Sequence, residues 1–120
     1  MTSKEKSIMD LNEVNRKNAK HGEFFFAEVF VNGGFKRPSP VFIISNDFDK
    51  EDIIICSCTS QPAKTEYDIL VNLKKPTCVR TNKIYTIHRE QLQFKISQIV
   101  SQEEYKLIIE KLKKSLNLND

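Results

Sequence analysis

Two apolar runs in the middle of the chain constrain the fold more than any other feature. Residues 41–45 read VFIIS and residues 53–60 read IIICSCTS, with a polar connection between them. Each run has the length and the β-branched composition of a strand, which predicts two neighbouring strands joined by a loop. A continuous apolar strand must be covered on both faces, whereas a half-solvated strand would alternate with polar residues. The hairpin is therefore predicted to form the core of the protein.

The second of these runs ends in hydroxyl side chains. Thr59 and Ser60 follow the isoleucines and cysteines of the strand, so polar groups emerge where the buried strand reaches the surface. This end of the hairpin is a candidate position for a functional site.

Further segments predict strands on both sides of the hairpin, because they carry aromatic and β-branched residues or alternate between apolar and polar positions. A bulge or bend is expected at residues 81–83, where the polar sequence TNK interrupts a strand. Residues 36–40, KRPSP, predict a basic loop stiffened by its prolines just before the hairpin. The predicted strands cover residues 23–31, 67–73, 77–87 and 94–100, with a short helical turn at residues 88–92.

Each end of the chain predicts a helix. Near the N-terminus, Ile8, Leu11 and Val14 recur at three-residue spacing, which predicts a short amphipathic helix that could pack on the β core or on a second subunit. Near the C-terminus, Ser101 and Glu104 have the spacing of a capping box and precede apolar residues at helical spacing. Strands followed by one final helix favour an α+β fold, mainly β, with a small barrel-like sheet rather than βαβ units.

Composition narrows the class of protein. A chain of 120 residues is expected to form one domain whose core needs no metal, cofactor or disulfide. The three cysteines have no zinc-like spacing, which favours reduced packing cysteines in a cytosolic protein. No apolar run approaches the roughly 20 residues that span a bilayer. No secretory signal pattern opens the sequence either, so a soluble cytoplasmic protein with no membrane partner is expected.

The charge distribution is compatible with an anionic partner. The formal net charge is +3, from 19 Lys and Arg against 16 Asp and Glu, which alone is a weak signal. Many of the basic residues lie in predicted loops or at strand ends in the middle of the chain. They are Lys36, Arg37, Lys74, Lys75, Arg80, Lys83 and Arg89.

Three motifs, in order along the chain, resemble one known family. They are PVFIISND at residues 40–47, the strand that ends in Thr59 and Ser60, and VRTNKIYTI at residues 79–87. With the strand pattern and the final helix, they make the chain similar to the PemK/MazF family of toxin endoribonucleases.

This resemblance implies a fold and an assembly. The expected fold is an SH3-like barrel at residues 21–120, which forms a homodimer and follows an N-terminal helical extension at residues 1–20. The implied activity is cleavage of single-stranded RNA without metal or cofactor, in which the ribose 2′-hydroxyl attacks the neighbouring phosphate. The products are a cyclic phosphate and a free 5′-hydroxyl, and a small acidic antitoxin protein would control the reaction in the cytoplasm.

By the same resemblance, Arg80 is the catalytic arginine, and Thr59 and Ser60 contact the scissile region. A guanidinium is permanently charged and offers forked donors to phosphate oxygens, which suits it to stabilise the transition state. Both assignments have plain structural alternatives: an ion pair with a surface carboxylate for the arginine, and capping of a strand end for the hydroxyls.

The chain departs from the family pattern at two positions. Asn82 stands where one branch of the family has an aspartate, and an amide can hold a hydroxyl group but cannot take its proton. Ser39 stands where many members have an arginine before the central strand. His21, Glu23 and His88 are the remaining candidates for the proton acceptor.

Basic and aromatic side chains outside the predicted core are candidates for binding RNA, because bases stack on exposed aromatic rings beside cations. The candidates are Lys36, Arg37, Lys83 and Tyr85, with Phe35 as a second aromatic residue and Ser60 at the strand end.

Three functions stay open at this point. The chain is a toxin-type endoribonuclease, or a catalytically degenerate relative that grips RNA or a protein partner in the same groove. The third alternative is a structural or regulatory subunit that assembles through its terminal helices.

Overall fold

The apolar hairpin lies in the middle of a single β-sheet. The structure, a computed structural model, describes residues 2–30, 36–45 and 49–118. Its helices and strands, in chain order, are α1 (Ser3–Lys17), β1 (Phe24–Phe30), β2 (Lys36–Ile43), β3 (Asp52–Thr59), β4 (Asp68–Asn72), β5 (Pro76–His88), β6 (Leu92–Ile96) and α2 (Gln102–Ser115). A 3₁₀ turn at Arg89–Gln91 joins β5 to β6, as the sequence predicts.

The strands pair in the order β4-β5-β3-β2-β1-β6, and each neighbouring pair is antiparallel. β3 therefore lies between β2 and β5, while β4 and β6 form the edges. The α+β class is confirmed. Across the described residues the sheet is not closed, and the SH3-like barrel stays a prediction.

Side chains of the sheet are buried on both faces. On the face that packs against α2, here called the α2 face, Phe24, Phe42 and Val79 are buried with Ile108 and Leu112 of the helix. The opposite face, here called the distal face, carries a second buried cluster. Its members are Ala19, Phe25, Ala27, Val41, Ile43, Ile53, Ile55, Ile87 and Leu92. Within β3, Ile53 and Ile55 belong to the distal cluster, and Cys56 and Cys58 belong to the α2 face. Apolar residues on both faces explain why the strand shows no apolar–polar alternation, although Ile54 is 40% exposed.

The prediction of a stiffened loop at residues 36–40 was wrong, because these residues form the first part of β2. They pair with β1 on one side, whereas β2 pairs with β3 only from Val41 onwards. Pro38 and Pro40 lack the N–H group that a second ladder would need. Prolines are therefore tolerated in this part of the strand, since it has a partner on one side only.

The predicted interruption of β5 is confirmed. Cys56 pairs with Ile84 and Cys58 pairs with Val79, so residues 80–83 of β5 lie opposite Ser57 alone. Such an excess of residues on one strand is a bulge, which bends the strand and changes the direction of its side chains.

β6 is shorter than the predicted strand at residues 94–100 and begins earlier. The reason is its pairing with β1, whose first residue, Phe24, lies opposite Ile96 at the end of β6. The capping box before α2 is confirmed, since Ser101 and Glu104 exchange side-chain to backbone hydrogen bonds.

α1 leaves its apolar row open. Ile8, Leu11 and Val14 are 51%, 58% and 52% exposed, and none of the residues of α1 is buried. The row therefore does not pack on the β core of its own chain, and contact with a second subunit stays a prediction. None of the helices within residues 2–30, 36–45 and 49–118 is long and apolar enough to cross a membrane.

The three cysteines are free and buried, as the sequence predicts. Burial raises the pKa of Cys56 to about 12 and raises the pKa of Cys58 well above its ordinary value. Both thiols therefore stay protonated at neutral pH and act as packing groups.

Arg89 joins three separate segments. Its buried guanidinium donates hydrogen bonds to the carbonyl oxygens of Asp49 at 2.8 Å, Arg16 at 3.0 Å and Ala19 at 3.0 Å. The same side chain thus holds the end of α1 and the approach to β3 against the 3₁₀ turn.

Replacing Arg89 by alanine is expected to lower the free energy of unfolding by about 2–4 kcal/mol, because several buried carbonyl groups lose a charged donor. Urea unfolding followed by circular dichroism measures the change. Glu90→Ala, at the exposed neighbouring position, is the control and is expected to change stability by less than about 0.5 kcal/mol. A stability of Arg89→Ala equal to that of the control would contradict this role.

Candidate functional site

The end of β3 and the middle of β5 bring Thr59 and Arg80 onto the distal face. Thr59 pairs with Cys78, and Arg80 lies two residues further along β5. Side chains two residues apart on a strand point to the same face, and Val79 between them points to the α2 face. Thr59 and Arg80 are therefore diagonal neighbours, which in antiparallel sheets lie ~7–8 Å apart.

Arg80 is paired across the sheet with an acidic residue of the edge strand. Asp68 of β4 lies directly opposite Arg80, and its Oδ1 is 3.7 Å from Arg80 Nε. The Asp68 side chain is 3% exposed, whereas the arginine side chain is 34% exposed. A buried carboxylate thus holds one side of the guanidinium while part of the arginine stays open to solvent.

The bulge places the next predicted site residues at the surface. Asn82 is exposed within the bulge, and Lys83, at its end, is half-buried. Tyr85 is 51% exposed and lies opposite Ile55, a residue of the distal cluster, so its ring belongs to the same face as Arg80. Ser60 is exposed directly after β3.

The first part of β2 adds Arg37 and Ser39 to the distal face, because both alternate in phase with buried Val41. Arg37 is exposed, and the hydroxyl of Ser39 donates to the carbonyl oxygen of Cys58 at 3.0 Å. Among the predicted RNA contacts, Phe35 and the side chain of Lys36 lie outside the described part of the chain.

A protein-family model matches most of the chain. The model of PemK-like, MazF-like toxins of type II toxin–antitoxin systems matches residues 20–116. The chain belongs to this family. The match includes every strand and α2 but excludes α1, and it contains all of the site residues described above.

Solved structures share the fold at low sequence identity. An endoribonuclease from a mycobacterial species, in complex with its cognate antitoxin, superimposes with a TM-score of 0.68 at 15% identity, over 84% of this chain and 97% of that one. A MazE–MazF structure from Deinococcus radiodurans has a TM-score of 0.69 at 12% identity, over 83% of this chain and 96% of that one. The Mycobacterium tuberculosis toxin MazF-mt6 has a TM-score of 0.65 at 13% identity and covers 82% and 99%. No curated protein matches the chain in sequence.

In this PemK/MazF-like chain, both ring nitrogens of His21 have structural partners. Nδ1 lies 2.7 Å from the carbonyl oxygen of Ile44 and must donate, because a carbonyl only accepts. Nε2 lies within hydrogen-bonding distance of the hydroxyl of Tyr105 on α2. The imidazole therefore joins the start of β1 to the C-terminal helix.

Glu23 and His88 also lie away from Arg80. Glu23 accepts the backbone N–H of Lys20 and pairs with Lys95 at 2.6 Å. It precedes β1, three strands from β5, which is roughly 14 Å at the usual strand spacing of ~4.8 Å. His88 is exposed, and its ring accepts the N–H of Glu90 at the 3₁₀ turn.

The sequence pattern did not identify Asp68 or Ser57, which lie beside Arg80 on the neighbouring strands, as candidate site residues. The alternation of β4 places Asp68 on the side opposite Ile69 and Val71, a position that ordinarily faces solvent. Its burial follows from the pairing of β4 with β5, which local sequence does not reveal. Ser57 was missed because its place opposite the bulge depends on the register of β5.

Metal-ligand clusters and surface grooves in the described part of the chain can be compared with the position of Arg80 and Thr59. Within the residues that the structure describes, no group of three or more His, Cys, Asp or Glu side chains could hold a metal ion. Two surface grooves of about 410 and 440 Å³ lie beside α2 and α1, away from Arg80 and Thr59. Neither of these two grooves is lined by Arg80 or Thr59.

His21→Phe tests the structural role of the imidazole. Phenylalanine keeps an aromatic ring but leaves the Ile44 carbonyl and the Tyr105 hydroxyl without a partner, so the free energy of unfolding is expected to fall by about 1–3 kcal/mol. Tyr105→Phe is expected to cost less, and the double variant less than the sum, as measured by urea unfolding. Additive losses would show that His21 and Tyr105 do not act together.

Proposed function

We propose that the chain is a toxin-type endoribonuclease that cleaves single-stranded RNA without a metal, through the ribose 2′-hydroxyl. The observation that carries this proposal is the strand register, which makes Arg80 and Thr59 diagonal neighbours on the distal face. Membership of the PemK/MazF-like toxin family supports it, as do structural neighbours that are described as endoribonucleases.

The two side chains have the chemistry that the reaction requires. Attack by the 2′-hydroxyl builds negative charge on the phosphate oxygens, and fixed cationic donors stabilise that charge. Arg80 supplies a permanent charge with forked donors. Thr59 Oγ1 accepts the N–H of Gln61 at 3.1 Å, which fixes the oxygen at the strand end and leaves its hydrogen to donate to a phosphate oxygen.

The proton of the 2′-hydroxyl needs an acceptor or an orienting group. Asn82, exposed two residues after Arg80, is proposed to hold the ribose hydroxyl in place without accepting its proton. His21 and Glu23 are occupied by structural contacts within the chain, so they are weaker candidates for the base.

The surrounding side chains are proposed to hold the RNA strand. Tyr85 is exposed beside Lys83 and can stack on a base, since every base presents a π-face to an aromatic ring. Arg37, exposed on the same face, and Ser60, exposed directly after β3, are proposed to extend the contact. DNA would lack the nucleophile and would be spared.

A protein partner is part of this proposal. The family is one of type II toxin–antitoxin systems, and two of the structural neighbours are described as complexes with an antitoxin or MazE. We propose that a small acidic antitoxin covers Arg80 in the cytoplasm and that the toxin works as a homodimer. An acidic segment would be attracted by the basic residues around the site.

The direct test is cleavage of single-stranded RNA in EDTA. The protein is expected to give discrete fragments with a cyclic phosphate and a 5′-hydroxyl, and Arg80→Ala is expected to lower the rate by about 10²–10³-fold, as the loss of a transition-state donor does. Lys106→Ala, at an exposed position of α2, is the charge-matched control and keeps the rate. A deoxyribose at the cleavage site should abolish the product.

Two results would refute this mechanism. One is cleavage that requires a divalent metal ion. The other is an Arg80→Ala variant that cleaves at the rate of the unmodified protein.

A second candidate function is RNA binding without cleavage. Two observations favour it. The amide of Asn82 cannot accept the proton of the 2′-hydroxyl, and the side chains of His21 and Glu23 are held by Tyr105 and Lys95. Salt titration of RNA binding tests it, because each phosphate contact contributes about −0.7 to the slope of log affinity against log salt. Lys83→Ala and Arg37→Ala are each expected to reduce the slope by about one contact. Binding of this kind without any fragments would select this function over the nuclease.

A further inference from the structure

Asp68 is a buried acidic residue on the face that carries Arg80 and Thr59. Its carboxylate is 3% exposed and approaches Arg80 Nε to 3.7 Å. Oδ2 accepts the backbone N–H of Lys64 at 2.9 Å, so the carboxylate has a fixed orientation. Carboxylates are rarely buried unless they are paired, and the charged partner of this carboxylate is Arg80.

The Arg80 guanidinium has a buried donor at the edge that lies toward Asp68. Within the described residues, Arg80 Nε is buried and has no hydrogen-bond partner, because 3.7 Å is an ion-pair distance rather than a hydrogen-bond distance. The two terminal amino groups are not among the buried unpartnered atoms of that region. The Nε edge thus lies toward Asp68, and the arginine side chain as a whole is 34% exposed.

The backbone around Arg80 is fixed by the same stretch of chain. Thr81 is fully buried, and both its N–H, at 2.9 Å, and its hydroxyl, at 2.7 Å, donate to the carbonyl oxygen of Tyr67. Ser115 of α2 donates to the carbonyl oxygen of Thr81 at 3.1 Å. Residues 67 and 68 therefore hold the start of the bulge through its backbone and through its arginine.

We propose that Asp68 is a positioning residue for Arg80, which holds the guanidinium by its Nε edge so that the terminal donors meet the phosphate oxygens of the scissile RNA. This role rests on the proposed nuclease function. Because the carboxylate is buried, it acts through the arginine and does not touch the RNA. The gap between Asp68 and Nε closes to a hydrogen bond when phosphate binds, since hydrogen bonds of this kind are often long before the substrate is present.

The test compares Asp68→Asn with Glu66→Gln. Asparagine keeps the shape and an acceptor for the Lys64 N–H but removes the charge. Glu66, two residues earlier, pairs with Lys111 and Lys114 of α2, so the control loses an equal charge from an exposed ion pair. Asp68→Asn is expected to lower kcat by about 10- to 100-fold with a small change in KM, the usual result of a misplaced catalytic group. Glu66→Gln is expected to keep the kcat of the unmodified protein.

A double variant separates positioning from a general structural role. In an Arg80→Ala background, Asp68→Asn is expected to cause no further loss of kcat, because the group that it orients is absent. Asp68→Glu, which restores the charge, is expected to recover part of the rate. This variant replaces Asp68→Asn in the test if Asp68→Asn does not fold. An unchanged kcat in Asp68→Asn, or an equal loss in both backgrounds, would overturn the proposal.

A spectroscopic measurement keeps this test independent of the nuclease assignment. The proton and nitrogen signals of Arg80 Nε–H are expected to shift in Asp68→Asn and to remain in place in Glu66→Gln. If the unmodified protein cleaves no RNA, the proposed function fails, and this signal still decides whether Asp68 holds the guanidinium. An unshifted signal in Asp68→Asn rules the contact out.

Discussion

The rest of the structure depends on the burial of β3 on both of its faces. An apolar strand in the centre of a sheet needs a cover on each side. α2 supplies one cover, through Ile108 and Leu112, and the buried cluster of the distal face supplies the other. Polar chemistry is excluded from the middle of β3 and becomes possible only where the strand ends at Thr59. The position of the candidate site is thus a consequence of how the core is built.

Two local irregularities make room for that site. Pro38 and Pro40 have no backbone N–H to donate to β3, and the ladder between these strands stops at Val41 and Ser57. The bulge of β5 lies opposite the same serine. The sheet is therefore irregular on both sides of the end of β3, next to the candidate site.

Local sequence signals predicted the elements well and their environment poorly. The central hairpin, the bulge and the capping box at Ser101 depend on neighbouring residues, and all three are confirmed. The extension of β2 through its prolines was missed, because tolerance of a proline depends on which side of the strand has a partner. Similarly, the burial of Asp68 follows from long-range pairing. The apolar–polar periodicity of a strand predicts which face a residue occupies, but it does not predict which other elements cover that face.

The candidate site illustrates a balance between charge and orientation. A carboxylate beside Arg80 reduces the positive potential that attracts an RNA strand, which is a cost for binding. The pair is partly exposed at the arginine, so solvent screens the attraction and its contribution to stability is small. Its main effect is geometric, because the pair restricts the long, flexible side chain of Arg80 at Nε and so orients the terminal N–H donors. Solved structures share this fold at 12–15% identity. Because a fold does not fix chemistry, the proposed activity depends on this orientation of Arg80 rather than on the sheet that carries it.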